Sequence, residues 1–529
     1  MVRGSVSAFA RVMVGTVLLL TAFAATGSAQ VIDDRLAPAG TLRLSAWPSF
    51  TAWDQRFGAS GEADRVSLGQ PLTSDRALEL FPGASTLTEG LRELSGAPDY
   101  QPTMGGVEGR VSHDVTEIDL GIDYGITEWW TVGASVPRVK TRTAVDLVFL
   151  PDTVAGDLGI SPYLTARNDV DMFLGGLRAA TTAAWSRADG LCESGDPACE
   201  DATALAQRTG RFDQTLSTVF HATPFFPLEG SSIATELADR ITALDSDLRD
   251  AGLDGLPGPL VLSNARATEA DLETLPAQFD RLGYAEPLRT RTSLWTWGDV
   301  ELKTSFGVLT LGRPLAARPG FSLEVQAGAL LRLGTGRTPD PDVPLDLGSG
   351  DGQRDIEGRL AARARFGSRF SFDGGVLYGT QNQRTLERRG VVEGSALAPA
   401  ASSVALVWDP GSYWAVEAEP ALRLADALTV GGVYRYFSRG ADAFSAVADS
   451  PSGTDDRSWT LPSGDPARRH QMGLTLVYDT ATPTGAEGSR PLRLRLRWLH
   501  AVAGHGADMP VTNRIEAGAE IYAPLWPDH

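Results

Sequence analysis

The strongest constraint on this chain is a two-residue period sustained over unusually long segments. In Phe321–Leu333, the residues Phe321, Leu323, Val325, Ala327, Ala329, Leu331 and Leu333 share one face of an extended strand. Ser322, Glu324, Gln326, Gly328 and Arg332 share the other, with Leu330 as the exception. Successive strand side chains point to opposite faces, so one face is apolar and the other polar. A soluble sandwich has the same period, but its strands are shorter and its apolar face is a core. Strands of about 10–14 residues instead match what a tilted strand needs to cross a bilayer with its apolar face toward lipid. The expected fold is an all-β membrane barrel.

Alternation and turn chemistry divide the chain into about twelve such strands, an even number as expected of a single-chain bacterial barrel. They fall near Thr41–Trp53, Val107–Tyr124, Trp129–Phe149, Thr292–Leu311, Phe321–Leu333 and Asp355–Phe366. The remaining six are Phe370–Gln381, Tyr413–Leu424, Ala427–Phe437, Arg469–Asp479, Leu492–His500 and Arg514–Leu525. The connections test this division. Those after even strands are short, such as Gly125–Glu128 and Ala425-Asp426, whereas the long ones (54–106, 150–291, 334–354, 382–412 and 438–468) follow odd strands. Outer-membrane barrels have that asymmetry, with short periplasmic turns and long extracellular loops. Outward aromatics cluster at both ends: Tyr124, Trp130, Phe321, Phe366, Phe370 and Tyr478 at one, and Tyr378, Trp414, Tyr434, Tyr436 and Trp498 at the other. The expected organisation is a barrel over 41–149 and 292–526, interrupted by an insertion at 150–291.

That insertion loses the two-residue period. Asn168–Ala188, Glu200–Phe220, Ser231–Arg249 and Glu269–Leu282 read as helices, and Ile233, Leu237, Ile241, Leu244 and Leu248 form a stripe at helical spacing. A small helical subdomain on the extracellular side is expected, with residues 76–95 adding a helix to it.

The amino terminus agrees with export. Arg3 and Arg11 precede an uncharged apolar run, Val12–Ala25, and a small-residue site at Ser28-Ala29, so residues 1–29 read as a signal peptide. The formal net charge is −19, and more negative still without Arg3 and Arg11, which argues against nucleic acid or an anionic lipid surface as a partner. Cys192 and Cys199 flank a Gly-Asp-Pro turn, and an oxidising compartment predicts a disulfide between them. The expected location is the Gram-negative outer membrane, with outer-membrane lipid and a small-molecule solute as partners.

Inward parity selects the candidate site. The lumen-lining residues expected are Glu117, Asp119, Asp299, Glu301, Lys303, Glu324, Arg332, Glu357, Arg359 and Arg363, with Glu417, Glu419, Arg493, Arg495, Arg497, Glu516 and Glu520. Opposed charges on neighbouring strands, such as the Arg493/Arg495/Arg497 ladder beside Glu516 and Glu520, are expected to pair. Asp340, Asp342, Asp346 and Asp351 crowd one outer loop and read as a solvated acidic loop, since their spacing matches no complete calcium loop. No phosphate-binding loop, zinc motif or nucleophile elbow is present, so no cofactor, metal or catalytic residue is assigned and the chain is not read as an enzyme. His470 and His500, outward at the rim, are the residues a lipid hydrolase would use, but no nearby serine is read as their partner.

Several segments resemble the outer-membrane transporter family associated with meta-pathway phenol degradation, related to fatty-acid and aromatic-hydrocarbon channels. They are Asp123–Pro137, Gly298–Leu302, Leu333–Gly336 and Leu345–Asp351, all turn or rim chemistry of the barrel. Gly334 stands where such proteins often have proline, and the 150–291 insertion is outside that pattern. The resemblance implies a channel or transporter for small molecules, hydrophobic or aromatic compounds among them. The competing readings are a non-transporting surface anchor that displays the helical subdomain and, behind it, an outer-membrane lipid hydrolase.

Overall fold

The structure is a computed structural model that describes residues 35–58, 61–150, 156–312, 320–392, 395–447, 459–460, 464–480, 492–506 and 509–525. The expected signal peptide and Trp526 lie outside the described residues. Twelve long strands form the barrel: β1 (Thr41–Trp53), β2 (Val107–Thr127), β3 (Trp130–Phe149), β4 (Val300–Leu311), β5 (Phe321–Leu333) and β6 (Asp355–Phe366) in its first half. The second half is β7 (Phe370–Gln381), β8 (Tyr413–Ala425), β9 (Leu428–Arg439), β10 (Ala467–Asp479), β11 (Leu492–His505) and β12 (Asn513–Pro524). Each pairs antiparallel with its sequence neighbour. The ring closes where β12 meets β1, with Thr41 opposite Pro524 and Ala52 opposite Asn513. Closure satisfies every strand edge inside the wall, which a lipid environment requires.

One sequence expectation fails in detail. Thr292–Leu311 is not a single strand; it divides into Arg291–Thr292, Thr296–Trp297 and β4. The cause is in β3. Pro137 has no N–H to donate, so its carbonyl accepts from Gly298 at 2.8 Å while the regular ladder resumes only from Ser135 opposite Glu301. β3 itself runs well past the wall's apolar zone, and with β2 it makes a tall two-stranded ribbon toward the long-loop end.

Helices gather at that end. Besides a single turn at Pro162–Thr165 they are α1 (Ala84–Ser95), α2 (Arg167–Glu193), α3 (Cys199–Ala222), α4 (Ser232–Asp250) and α5 (Glu269–Gln278). Ser231 caps α4 by accepting from the Ala234 N–H, and Thr268 with Asp271 forms a capping box on α5. The stripe Ile233, Leu237, Ile241, Leu244 and Leu248 is buried. Cys192 and Cys199 are disulfide-bonded across the α2–α3 turn, with Cα atoms 4.8 Å apart. The helical cap does not float above the barrel. Its core runs without a break into Trp53, Val107, Val111, Val115, Val139, Val145 and Leu147 on the inner faces of β1–β3.

Candidate functional site: the charged bore

The barrel wall sorts residues by parity. Leu44, Phe50, Leu120, Ile122, Leu302, Leu331, Ile356, Leu360, Val376, Leu474, Leu476, Leu494 and Leu496 are exposed on its outside. Arg43, Glu357, Glu417, Glu419, Arg493, Arg495, Arg497, Glu516 and Glu520, from the same strands or their neighbours, are buried inside. Aromatic rings bound this band. Trp129, Trp130 and Phe306 stack at the short-turn end, where Phe321, Phe366 and Phe370 also meet. Trp414, Tyr436 and His470 meet at the other end. An apolar belt between two aromatic girdles around a polar interior is a membrane-spanning wall. The protein is a membrane-spanning β-barrel of the outer-membrane type.

Inside, the charges build three groups. At the long-loop side, Arg332 of β5 bridges Glu301 of β4 at 2.9 Å and Asp355 and Glu357 of β6 at 2.6 and 3.2 Å. Arg359 adds a 2.7 Å pair to Glu357. The Tyr413 hydroxyl donates to Glu357 at 2.7 Å from two strands away. It reaches there because the residue between them is Gly379, where any Cβ would strike the Tyr413 ring. Leu330, the one apolar exception of the Phe321 segment, is buried on this inner face.

The second group lies deeper in the barrel. Arg497 of β11 pairs with Glu417 and Glu419 of β8 at 2.8 and 2.9 Å, and Arg495 pairs with Glu419. β9 and β10 separate these strands, so the pairs cut a chord across the bore rather than joining neighbours. Neighbouring-strand contacts, expected from sequence as the main partners, are longer: Arg497–Glu516 at 3.8 Å and Arg493–Glu520 at 3.5 Å. Glu516 is held by Arg514 at 2.6 Å. Trp47 lies flat over Gly518, filling the space between β1 and β12.

The third group lies at the short-turn end. Asp123 binds Arg43 at 2.8 Å and Lys303 at 3.0 Å, and Arg363 binds Asp373 at 2.9 Å. The segment preceding β1 crosses here: Arg35 pairs with Asp479 at 2.9 Å, and the Ala37 N–H donates to Thr131 at 2.9 Å. Of the remaining residues selected from sequence, Glu324 sits opposite Arg363 in register. Glu117 and Asp119 share a patch with Glu301. Asp299 lies just before β4, where it accepts from the Gly336 N–H at 2.7 Å.

Sequence reasoning missed Arg435, Arg469, Arg514 and Tyr413, although inward parity was a sufficient signal for each. Together these residues polarise the bore. Arg435, Arg469, Arg493, Arg495, Arg497 and Arg514 of β9–β12 outnumber Asp479, Glu516 and Glu520 of the same strands, whereas Glu117, Asp119, Asp123 and Glu301 of β2–β4, roughly the opposite side of the ring, outnumber Lys303.

The acidic loop corrects a second expectation. Asp340 and Asp342 are exposed, as expected, but Asp346 is not and Asp342 is paired. Asp346 is buried, bound by Arg337 at 3.0 Å and Arg291 at 3.2 Å, and accepts from the Asp340 N–H at 2.9 Å. Asp342 binds Arg389 at 2.7 Å, and Arg389 also donates to the carbonyls of Leu282 and Gly283 next to the cap. Burial opposes ionisation of Asp346, but the Arg337 hydrogen bond, the Asp340 N–H and the Arg337 and Arg291 charges outweigh it and hold the carboxyl below its usual range. The loop is a clasp between cap and barrel. The rim histidines are occupied differently: His470 Nδ1 is 2.8 Å from the Tyr434 hydroxyl, and His500 stacks on Trp498.

No family model matches the sequence, and no curated protein matches it either. Among solved structures, an outer-membrane channel from Pseudomonas putida F1 is similar over 93% of this chain and 98% of that one, at 9% identity and a TM-score of 0.41. The P. putida toluene transporter TodX is similar over 93% and 92%, at 10% identity and a TM-score of 0.27. The translocator domain of the autotransporter NalP from Neisseria meningitidis is similar over 93% and 90%, at 8% identity and a TM-score of 0.25. Likenesses this distant span channels and autotransporters alike, so the functional argument rests on the bore itself.

Proposed function

We propose that this protein is an outer-membrane channel for small molecules, closed in the state described, with the long-loop end and its helical cap outside the cell. The observation that carries the reading is the polarised bore. A wall with arginines in excess on one side and carboxylates in excess on the other produces a transverse field, which orients and admits dipolar or charged groups. Such a wall is a poor choice for an inert plug, because apolar residues of equal volume would fill the space as stably or more so. Extension to hydrophobic or aromatic solutes rests on the sequence resemblance and on the apolar cap core at the barrel's outer mouth. The anchoring reading keeps one observation in its favour, the seamless packing of the cap onto the inner faces of β1–β3.

Planar-bilayer conductance of the refolded protein separates the two. Replacing Glu417, Glu419, Arg495 and Arg497 together with Gln removes the chord while leaving no charge of the four unpaired. The channel reading expects small or rare openings from the native protein and several-fold larger conductance from the quadruple variant, on the order of what loss of a close charge constriction gives in a bore. Silence from both proteins, with heat-modifiable gel mobility showing that both are folded, would leave the anchor.

A further inference from the structure

We propose that the outer face of β3 at the long-loop rim binds the phosphate groups of the outer-leaflet glycolipid. The segment Pro137-Arg-Val-Lys-Thr-Arg142 puts Val139 and Thr141 inside, both buried, and therefore Arg138, Lys140 and Arg142 outside. Directly below Arg138 the same face carries Val136, Ala134 and Val132, flanked by the exposed Leu120 and Ile122 of β2 and Leu302 and Phe306 of β4. It ends on Trp130 in the opposite girdle. From Trp130 to Arg138 is about 27 Å along the strand, or about 20 Å across a bilayer at a tilt near 40°, which approximates the height of the apolar band. Arg138 is thus the first charge above the hydrocarbon boundary, at headgroup level.

The local charges are available there. Arg142 pairs with Asp114 at 2.9 Å and stays half exposed. Among the described residues Arg138 and Lys140 have no carboxylate partner; the Arg138 guanidinium lies 4.3 Å from the centre of the Trp297 ring, itself half exposed. Lys140 faces Thr116 across the ladder. Elsewhere the outward rim carries aromatics such as Phe50, Trp414, Tyr436 and Trp498, and its exposed cations Arg354 and Arg468 stand singly, Arg468 paired with Glu62 at 2.8 Å. A basic ladder on a chain of net charge −19 is therefore a local feature that charge balance of the whole does not supply. Two cations about 7 Å apart on one strand face can engage a phosphate each or clasp one between them, with Arg138 as a fork and Lys140 as a point charge. Trp297 supplies the flat amphipathic surface beside them, and the Val136–Val132 strip accepts acyl chains. A soluble anion would satisfy the cations but leave that strip unused, so the occupant we assign is a phosphorylated lipid.

The test uses the full refolded chain in detergent micelles, titrated with bisphosphorylated outer-leaflet glycolipid, the same lipid after dephosphorylation, and inorganic phosphate, with binding read by native mass spectrometry. Native protein should prefer the phosphorylated lipid by about tenfold, the value of one charge-assisted contact. Arg138→Gln with Lys140→Gln should abolish the preference, and Arg138→Lys with Lys140→Arg should restore most of it. Should the double Gln variant fail to fold, Lys140→Gln alone should lower the preference about threefold. Equal binding of both lipids by native protein, an unchanged preference in the Gln variants, or complete displacement of lipid by millimolar inorganic phosphate would each overturn the assignment.

Discussion

The barrel bore and the helical cap are both removed from solvent, yet they are filled with opposite chemistry. In the bore, Arg497 is 1% exposed and surrounded by Glu417, Glu419 and Glu516. In the cap, Leu237 is equally buried among leucines, isoleucines and phenylalanines. The difference comes from what lies on the far side of each element. A barrel strand shows its other face to lipid, so the apolar half of its period is used outward and the polar half must fill the inside. A cap helix shows its other face to water, so its apolar stripe turns inward. One pattern rule therefore produces an ionic interior and a greasy one within a single chain, and the two meet where β1–β3 rise out of the wall and switch to an apolar inner face at Val107, Val111, Val115, Val139, Val145 and Leu147.

The comparison predicts that the two interiors fail differently. Arg497→Ala should have the largest effect, because it takes from buried Glu417 its close partner and from Glu419 one of two; removal of one partner from such a network costs about 3–5 kcal/mol. The urea midpoint of the refolded barrel should fall accordingly, and adding Glu417→Gln, which leaves Glu419 to Arg495, should recover part of the loss. A midpoint unmoved by Arg497→Ala would mean that the bore is not held by its charges. Leu237→Ala should cost about 2–4 kcal/mol through the cavity it leaves. That loss belongs to the cap: protease cleavage within α4 should rise while the heat-modifiable mobility of the barrel stays unchanged. Equal loss of both signals would show that cap and barrel unfold as one unit.

The smallest effect concerns the clasp between them. Asp346 titrates below its usual range in the folded protein, so its contribution is complete above the ordinary aspartate value of about 3.9 and is lost as pH falls through the lower folded value. Hydrogen exchange in residues 337–349 should accelerate under strong acid and stay slow from mildly acidic to neutral pH. In Asp346→Asn that stretch should exchange faster at neutral pH and show little of the acid step.

Much of this architecture is legible in the sequence. The bounds read for Thr41–Trp53, Phe321–Leu333, Asp355–Phe366 and Phe370–Gln381 coincide with the observed strands, because a strict two-residue period ends visibly where a turn begins. The buried stripe of α4 was equally plain at helical spacing. Which residues point into the barrel is likewise a local property, set by parity alone. Which of them touch is not. Sequence adjacency suggested that Arg495 and Arg497 would pair with Glu516 and Glu520, whereas the close partners are Glu417 and Glu419, on a strand more than 70 positions earlier. That choice depends on the curvature of a closed ring, which brings β8 within an arginine's reach of β11 over the heads of β9 and β10. The acidic loop departs from its solvated expectation at Asp346 for a related reason. Four aspartates in a turn-rich segment look solvated until folding carries Arg291, Arg337 and Arg389, from three separate parts of the chain, onto Asp342 and Asp346. Periodicity is written residue by residue and survives in the sequence; partnership across a closed wall exists only after the ends of the sheet have met.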